Sequence, residues 1–239
     1  LGLGPGDAWL GCLPRCHVGG LMIGYRCALA GATLVAHPAF EAAAVAQDLA
    51  RRGVTHLSLV PPMLARLLAV MPAPPPELRA VLIGGQALSG TLARQALDAG
   101  WPLRLTYGMT ETCSHIALSP TLTAVLPPGQ VGPPLPGVEV RCHGTLDAPA
   151  PLQIRGPQVM LGYADADRQP GRGLQDGWFQ TGDLGYLTPE GEVTVVGRAD
   201  QLLVIGGEAV LPSRVEEQIL TAPGVSAAVV VGLADPVWG

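Results

Sequence analysis

Apolar and polar positions along the first half of the chain alternate between a helical and an extended rhythm. From Glu41 to Arg52 the run EAAAVAQDLARR consists of good helix formers and stops at Gly53, and the β-type run THLSLV follows over Thr55–Val60. Pro61 and Pro62 then open a second helix over MLARLLAV, since proline is tolerated in a first turn, and APPP at Ala73–Pro76 ends it as an exposed connection. A short apolar strand, Ala80–Ile83, runs into Gly84-Gly85-Gln86. Ser89 is placed to cap the helix TLARQALDA, with Gly100 as its stop, and the strand Leu103–Thr106 runs into the loop YGMTET, Tyr107–Thr112. Strand, helix and strand recur, with polar, glycine-containing loops at the carboxyl ends of the strands, which is where an open parallel sheet places a ligand.

After about Thr121 the pattern shifts to short alternating strands, Val138–Cys142, Leu152–Arg155 and Val193–Val196, separated by Pro and Gly turns. A third texture begins after Arg198. A Gly206-Gly207 turn leads to a capping box, Ser213 with Glu216, at the head of the helix RVEEQILTA, and a strand is expected over Ala227–Val231. The fold class is therefore α/β. Residues 1–197 form a large domain of parallel-sheet layers with a small barrel-like β subdomain at about 121–197, and residues 198–239 begin a small α/β C-terminal domain.

Composition narrows the functional classes. A chain of 239 residues with 48% hydrophobic, 4% aromatic and 14% charged residues can bury a sizeable core. A net charge of −5 leaves no basic face for a nucleic acid backbone, and no apolar run reaches the length of a transmembrane segment, because Arg15, Arg26 and His37 interrupt the greasiest stretch. Five cysteines without a C-x-x-C pair suggest plain thiols in a reducing cytoplasm, and a homo-oligomer is left open. The chain begins at Leu1 rather than Met and stops at Gly239 inside an apparent element, so it is expected to be a piece of a longer protein. All fourteen basic residues are arginines; there is no lysine.

The YGMTET loop offers a glycine that lets backbone approach a ligand, hydroxyls for phosphate oxygens, and in Glu111 a carboxylate able to hold magnesium. Those are parts for a nucleotide, and equally a polar strand-end loop. Gly84-Gly85 exposes backbone groups or forms a tight turn. Asp183, in Thr181-Gly182-Asp183, could accept bonds from both ribose hydroxyls or could be a solvated turn aspartate. His17, in PRCHVGG, sits in a glycine-flanked loop, where a structural role is common.

Taken in order and spacing, YGMTET, GWFQTGD (Gly177–Asp183) and GRADQLLVIGGEAVLPSRVEE (Gly197–Glu217) resemble the adenylate-forming superfamily of acyl-CoA synthetases, luciferases and peptide-synthetase adenylation domains. The resemblance implies that Thr110 contacts the ATP phosphates and Glu111 binds Mg2+. It implies that Gly84, Gly85 and Gln86 line the adenine pocket with Tyr107, whose ring stacks on the base, while Gly108 and Met109 complete the nucleotide loop. Asp183 and Arg198 would hold the ribose, Asp200 would be the hinge, and Gly206-Gly207 would lie on the loop that reaches the coenzyme A channel. Gln201 departs from the acidic residue usual after the hinge aspartate. His17, counted with Thr110 and Glu111 among the catalytic residues, would border the acyl pocket.

Within the superfamily, YGMTETCS, the IGGE loop and the ending VGLADPVWG are most similar to the o-succinylbenzoate:CoA ligases of menaquinone biosynthesis, with Ser114 as a substrate-facing polar residue and His115 departing from an expected glutamine. The implied activity is ATP-dependent formation of an acyl-adenylate from a small-molecule carboxylic acid, followed by transfer to coenzyme A. The phosphate-loop lysine is expected before Leu1 and the catalytic lysine beyond Gly239, so the chain alone should adenylate poorly. The competing readings are a medium-chain or aryl acyl-CoA synthetase, a domain that loads a carrier protein, and an inactive nucleotide-binding remnant.

Overall fold

Ten elements of the first half follow one another as strand and helix. In a computed structural model, whose described residues are 1–164, 170–220, 222, 224, 225 and 228–235, they are β1 (Ala8–Gly11), α1 (Val18–Ala30), β2 (Thr33–Ala36), α2 (Ala42–Arg51), β3 (His56–Leu59), α3 (Pro61–Val70), β4 (Ala80–Ile83), α4 (Gly90–Asp98), β5 (Leu103–Met109) and β6 (Ser114–Leu118). The strands lie in the order β2-β1-β3-β4-β5-β6, parallel from β2 to β5, with β6 antiparallel at the edge. Glu41 caps α2 by accepting from Ala43 N–H at 3.2 Å and Ala44 N–H at 2.7 Å, and Ser89 caps α4 by accepting from Leu92 N–H at 3.3 Å. Pro61 starts α3 as expected.

The order reverses between β1 and β3, which has a packing consequence. Parallel crossovers are right-handed, so the connection that steps from β1 to β2 lies on the opposite face from those that step the other way. Accordingly, among the described helices, only α1 packs against Trp9, Ala80, Leu82 and Leu118, through Ile23 and Cys27. The other face carries α2, α3 and α4, whose Val45, Leu49, Leu64, Leu67 and Ala96 meet Leu10, Leu57, Leu59, Val81, Ile83 and Leu103. Trp9 and Leu10, like Leu82 and Ile83, are neighbours that serve opposite faces, as the two-residue period of a strand requires. Strands buried on both sides read as continuous apolar runs, and HLSL and AVLI are buried at every position.

This body comprises residues Leu1–Pro136 and Gln158–Met160 and includes β7 (Gln130–Gly132) beside β5 and β6; a second comprises Gly137–Pro157 and Leu161–Gly239. The second holds β8 (Glu139–Arg141), β9 (Ala150–Arg155), the short β10 (Leu174–Gln175), β11 (Trp178–Leu187) and β12 (Val193–Arg198) in an antiparallel sheet ordered β12-β11-β9-β8, with β10 on β11. A hairpin of β13 (Leu203–Ile205) and β14 (Glu208–Val210) follows, then α5 (Pro212–Ile219). Gly206 and Gly207, with φ of 59° and 88°, form its two-residue turn, where two left-handed residues match the strand twist.

Several expectations change. The first forty residues were given no elements, yet they form β1, α1 and β2. Tyr107–Met109 extend β5 rather than open a loop, and Thr181-Gly182-Asp183 lies inside β11, irregular between Gln180 and Leu184, rather than on a turn. Ser213 does not cap α5: Leu211 holds that position, Pro212 starts the helix, and the Ser213 hydroxyl donates to Val196 O at 3.0 Å. Glu216 accepts from Val230 N–H at 2.8 Å instead of closing a capping box. Of the strand expected at Ala227–Val231, Ala227 is outside the described residues and the rest carries no regular structure.

Leu57 is fully buried in β3 between helix-covered neighbours. Leu57→Ala is expected to lower unfolding free energy by about 2–5 kcal/mol, read from a urea midpoint at unchanged m-value.

Candidate active site

A cavity of about 320 Å3 opens at the carboxyl ends of the parallel strands. Leu13 and Pro14 follow β1, Ser58–Val60 end β3, Gly84 and Gly85 follow β4, Thr106 and Gly108 come from β5, and Ser114 and His115 from β6. His17 and the first turn of α1 complete its lining. Six of the residues named in the sequence therefore converge here: His17, Gly84, Gly85, Gly108, Ser114 and His115. His17 ends the loop between β1 and α1, at the extended N-cap position of α1, without a side-chain capping bond and exposed to solvent. Ser58, Val60 and Met63 were missed. Their signal was positional: each falls at or just after the end of a strand flanking the reversal of strand order.

Gln86, Tyr107, Met109, Thr110 and Glu111 do not line this cavity. Gln86 and Thr110 are exposed, and Tyr107, Met109 and Glu111 are half-buried. Thr110–Thr112 form a single 3-10 turn joining β5 to β6. Its exit is unusual: Cys113 and Ser114 have φ of 50° and 91°, a region that non-glycine residues enter at a cost. Gly108 makes that path available, because a Cβ there would stand 1.6 Å from Ser114 O. Thr112, wholly buried, accepts from Met109 N–H at 3.1 Å, and Met160 N–H donates to Glu111 O at 2.7 Å.

His115 is the most perturbed imidazole of the site. Burial, with the Arg26 guanidinium adding to it, pushes its pKa down to about 3, so the ring is neutral across the ordinary range of pH. Arg26 itself lies 5.9 Å from the Trp9 ring.

In the second body, Asp183 and Arg198 face each other across β11 and β12. The Arg198 guanidinium stands 3.5 Å from Asp183 Oδ1 and makes two bonds to Asp200, 3.2 Å from Nε and 3.0 Å from Nη2. One cation thus bridges two carboxylates. Hydrogen bonding to Arg198 holds the Asp200 carboxyl below its usual range, and the same bonds raise Arg198 further above its own. Gly206 and Gly207 sit at the tip of their hairpin. No group of three or more His, Cys, Asp or Glu side chains suited to a metal occurs among the described residues. Magnesium, which keeps waters and takes one or two carboxylates plus phosphate oxygens, needs no such group. No described helix is long and apolar enough to cross a membrane.

Residues 1–164 match the family described as AMP-binding enzyme. The chain is 36% identical over 246 residues to a 2-succinylbenzoate–CoA ligase of Bacillus cereus and 37% identical over 249 residues to that of Bacillus mycoides, in each case over 100% of this chain and 51% of the relative. It thus spans about half the length of the curated relatives it matches. Among solved structures, the o-succinylbenzoate CoA synthetase of Bacillus subtilis in complex with the acyl-adenylate intermediate aligns over 100% of this chain and 50% of that one, at TM-score 0.90 and 34% identity. The same enzyme in complex with ATP and magnesium ion aligns at TM-score 0.89 and 33% identity, over 100% and 51%.

His115 gives a pH signature. Below its ordinary pKa of 6.5 the unfolded chain takes up a proton that the folded one refuses until about 3, so stability falls as pH drops through that window. His115→Gln should remove about 1 kcal/mol of the stability lost between pH ~6.5 and ~5.5. Urea melts of both proteins at the two pH values measure the difference, which cancels other titrating groups such as His56.

Proposed function

The chain belongs to the AMP-binding enzyme family, and on that premise we propose that its protein is an AMP-forming carboxylate–CoA ligase that converts 2-succinylbenzoate to 2-succinylbenzoyl-CoA for menaquinone biosynthesis in the cytoplasm. The observation that carries this reading is the similarity of the entire chain to ligases of that name, in sequence and in fold. Two half-reactions follow. A carboxylate oxygen attacks the α-phosphorus of ATP and releases pyrophosphate. The thiol of coenzyme A then attacks the acyl carbonyl, loses its proton, and expels AMP.

In this reading the cavity at the strand ends takes the acid. Its lining is mainly apolar, suited to an aromatic ring, with His17, Ser58, Thr106, Ser114 and His115 as its polar side chains. Gly84, Gly85 and Gln86 approach the adenine with Tyr107, and Gly108 and Met109 carry the backbone alongside. Thr110 donates its hydroxyl to a phosphate oxygen. Glu111 supplies the carboxylate for Mg2+, which when bound neutralises charge developing on the phosphates. Asp183 accepts from the ribose hydroxyls and Arg198 assists. Asp200 is the pivot, with a small C-terminal domain starting at residue 198 and the Gly206-Gly207 turn on its coenzyme A side.

Two measurements on the full-length protein test this. Glu111→Gln should lower pyrophosphate exchange by orders of magnitude at an unchanged melting temperature; exchange at the wild-type rate refutes the metal role. Thioester formation across a panel of acids should favour 2-succinylbenzoate over benzoate and octanoate, and equal rates would replace the substrate assignment with an aryl or medium-chain acid.

A further inference from the structure

The turn that carries Thr110 and Glu111 is closed by a residue that touches no solvent. Thr112 is 0% exposed, and its single hydroxyl meets three backbone groups. It accepts from Met109 N–H at 3.1 Å, and its one proton is shared between Met109 O at 3.2 Å and Ser114 O at 3.1 Å. Met109 is the last residue of β5 and Ser114 the first of β6, so one side chain ties the entry of the turn to its exit. The exit is the strained segment: Cys113 and Ser114 are both at positive φ, and Cys113 N–H returns to Thr110 O at 3.2 Å. With no hydroxyl at position 112, the Met109 amide and the Ser114 carbonyl lose a buried partner, and an ordinary exit from the turn would relieve both left-handed residues.

We infer that Thr112 is a positioning residue: its hydroxyl holds the Thr110–Glu111 turn in the strained form that presents Glu111 to the metal-bound nucleotide. The inference rests on the functional reading given above. Thr112 is buried and contacts neither metal nor substrate; it acts through backbone at both ends of the turn. It also accounts for why strain is tolerated at Cys113 and Ser114, where glycine would be the unstrained choice. A purely structural role would lower stability and leave magnesium dependence alone, and the two roles separate on that point.

The experiment uses the full-length enzyme and pyrophosphate exchange with 2-succinylbenzoate, titrating Mg2+ at fixed ATP, with melting temperatures alongside. Thr112→Val keeps the shape and removes the hydroxyl; it should need about tenfold more Mg2+ for half-maximal exchange, the scale on which outer-shell partners affect metal sites. Thr112→Ser keeps the hydroxyl and should restore the wild-type midpoint. If valine prevents folding, Thr112→Ala, which leaves room for water, is judged by the same criteria. An unchanged Mg2+ midpoint in the valine or alanine variant overturns the inference, whatever the melting temperature, and so does a serine variant as impaired as valine. Glu111→Gln is run in parallel. If it exchanges at the wild-type rate the metal role of Glu111, on which the inference rests, fails; if it is silent while the hydroxyl-free variant keeps its midpoint, only the role of Thr112 fails.

Discussion

Five parallel strands whose order reverses between β1 and β3 govern where chemistry can sit on this chain. Right-handed crossovers send α1 to one face and α2–α4 to the other, so the loops leaving β1 and β3 diverge and leave a crevice above the strand ends. The cavity found there is lined from five successive strand ends and the head of α1. Its position follows from topology and from the burial of AVLI and HLSL on both faces, before any polar residue is considered. Rigid strands beneath it let short side chains such as Ser58 and Ser114 be aimed without long flexible arms.

The β5–β6 turn shows how that scaffold tolerates local cost. Left-handed backbone at a residue with a side chain costs about 1–2 kcal/mol, and Cys113 and Ser114 incur it in succession. A buried hydrogen bond left unmade costs a comparable amount, about 1–3 kcal/mol. The Thr112 hydroxyl, the Gly108 approach and the strand pairing of Gly108 with His115 over-determine the turn. Strain persists only where the surroundings fix it in this way.

Much of this was legible in the residues because local chemistry and tertiary need agree. Glu41, Ser89 and the Pro61-Pro62 pair mark helix starts that the fold keeps, and AVLI marks β4 to the residue. Where they disagree, reading failed. Gly19, Gly20 and Gly24 lower the helix propensity of α1, yet burial of Ile23 and Cys27 against the sheet outweighs it. The Ser213 and Glu216 spacing satisfies a capping box in isolation, but Val196 O and Val230 N–H compete for the same side chains, and a sequence does not display them. Along the cavity, Gly84, Gly85 and Gly108 announced themselves by composition. Ser58 did not, because an isolated serine in an apolar run acquires meaning only from the strand end at which it falls.

The charges of the second body follow a different logic. Arg198 joins Asp183 and Asp200, and both the guanidinium and Asp200 are largely in solvent, where ion pairs contribute little to stability. Their geometry is more informative than their energy. Asp183 is fixed by β11 and is mostly shielded, whereas Asp200 lies on a single 3-10 turn just beyond β12, between the sheet and the hairpin. A guanidinium shared by one anchored and one peripheral carboxylate can release the peripheral one at small cost while keeping its own place on the strand. The pivot proposed at Asp200 would call for such a contact, one that can be made in one arrangement of residues 198–202 and given up in another.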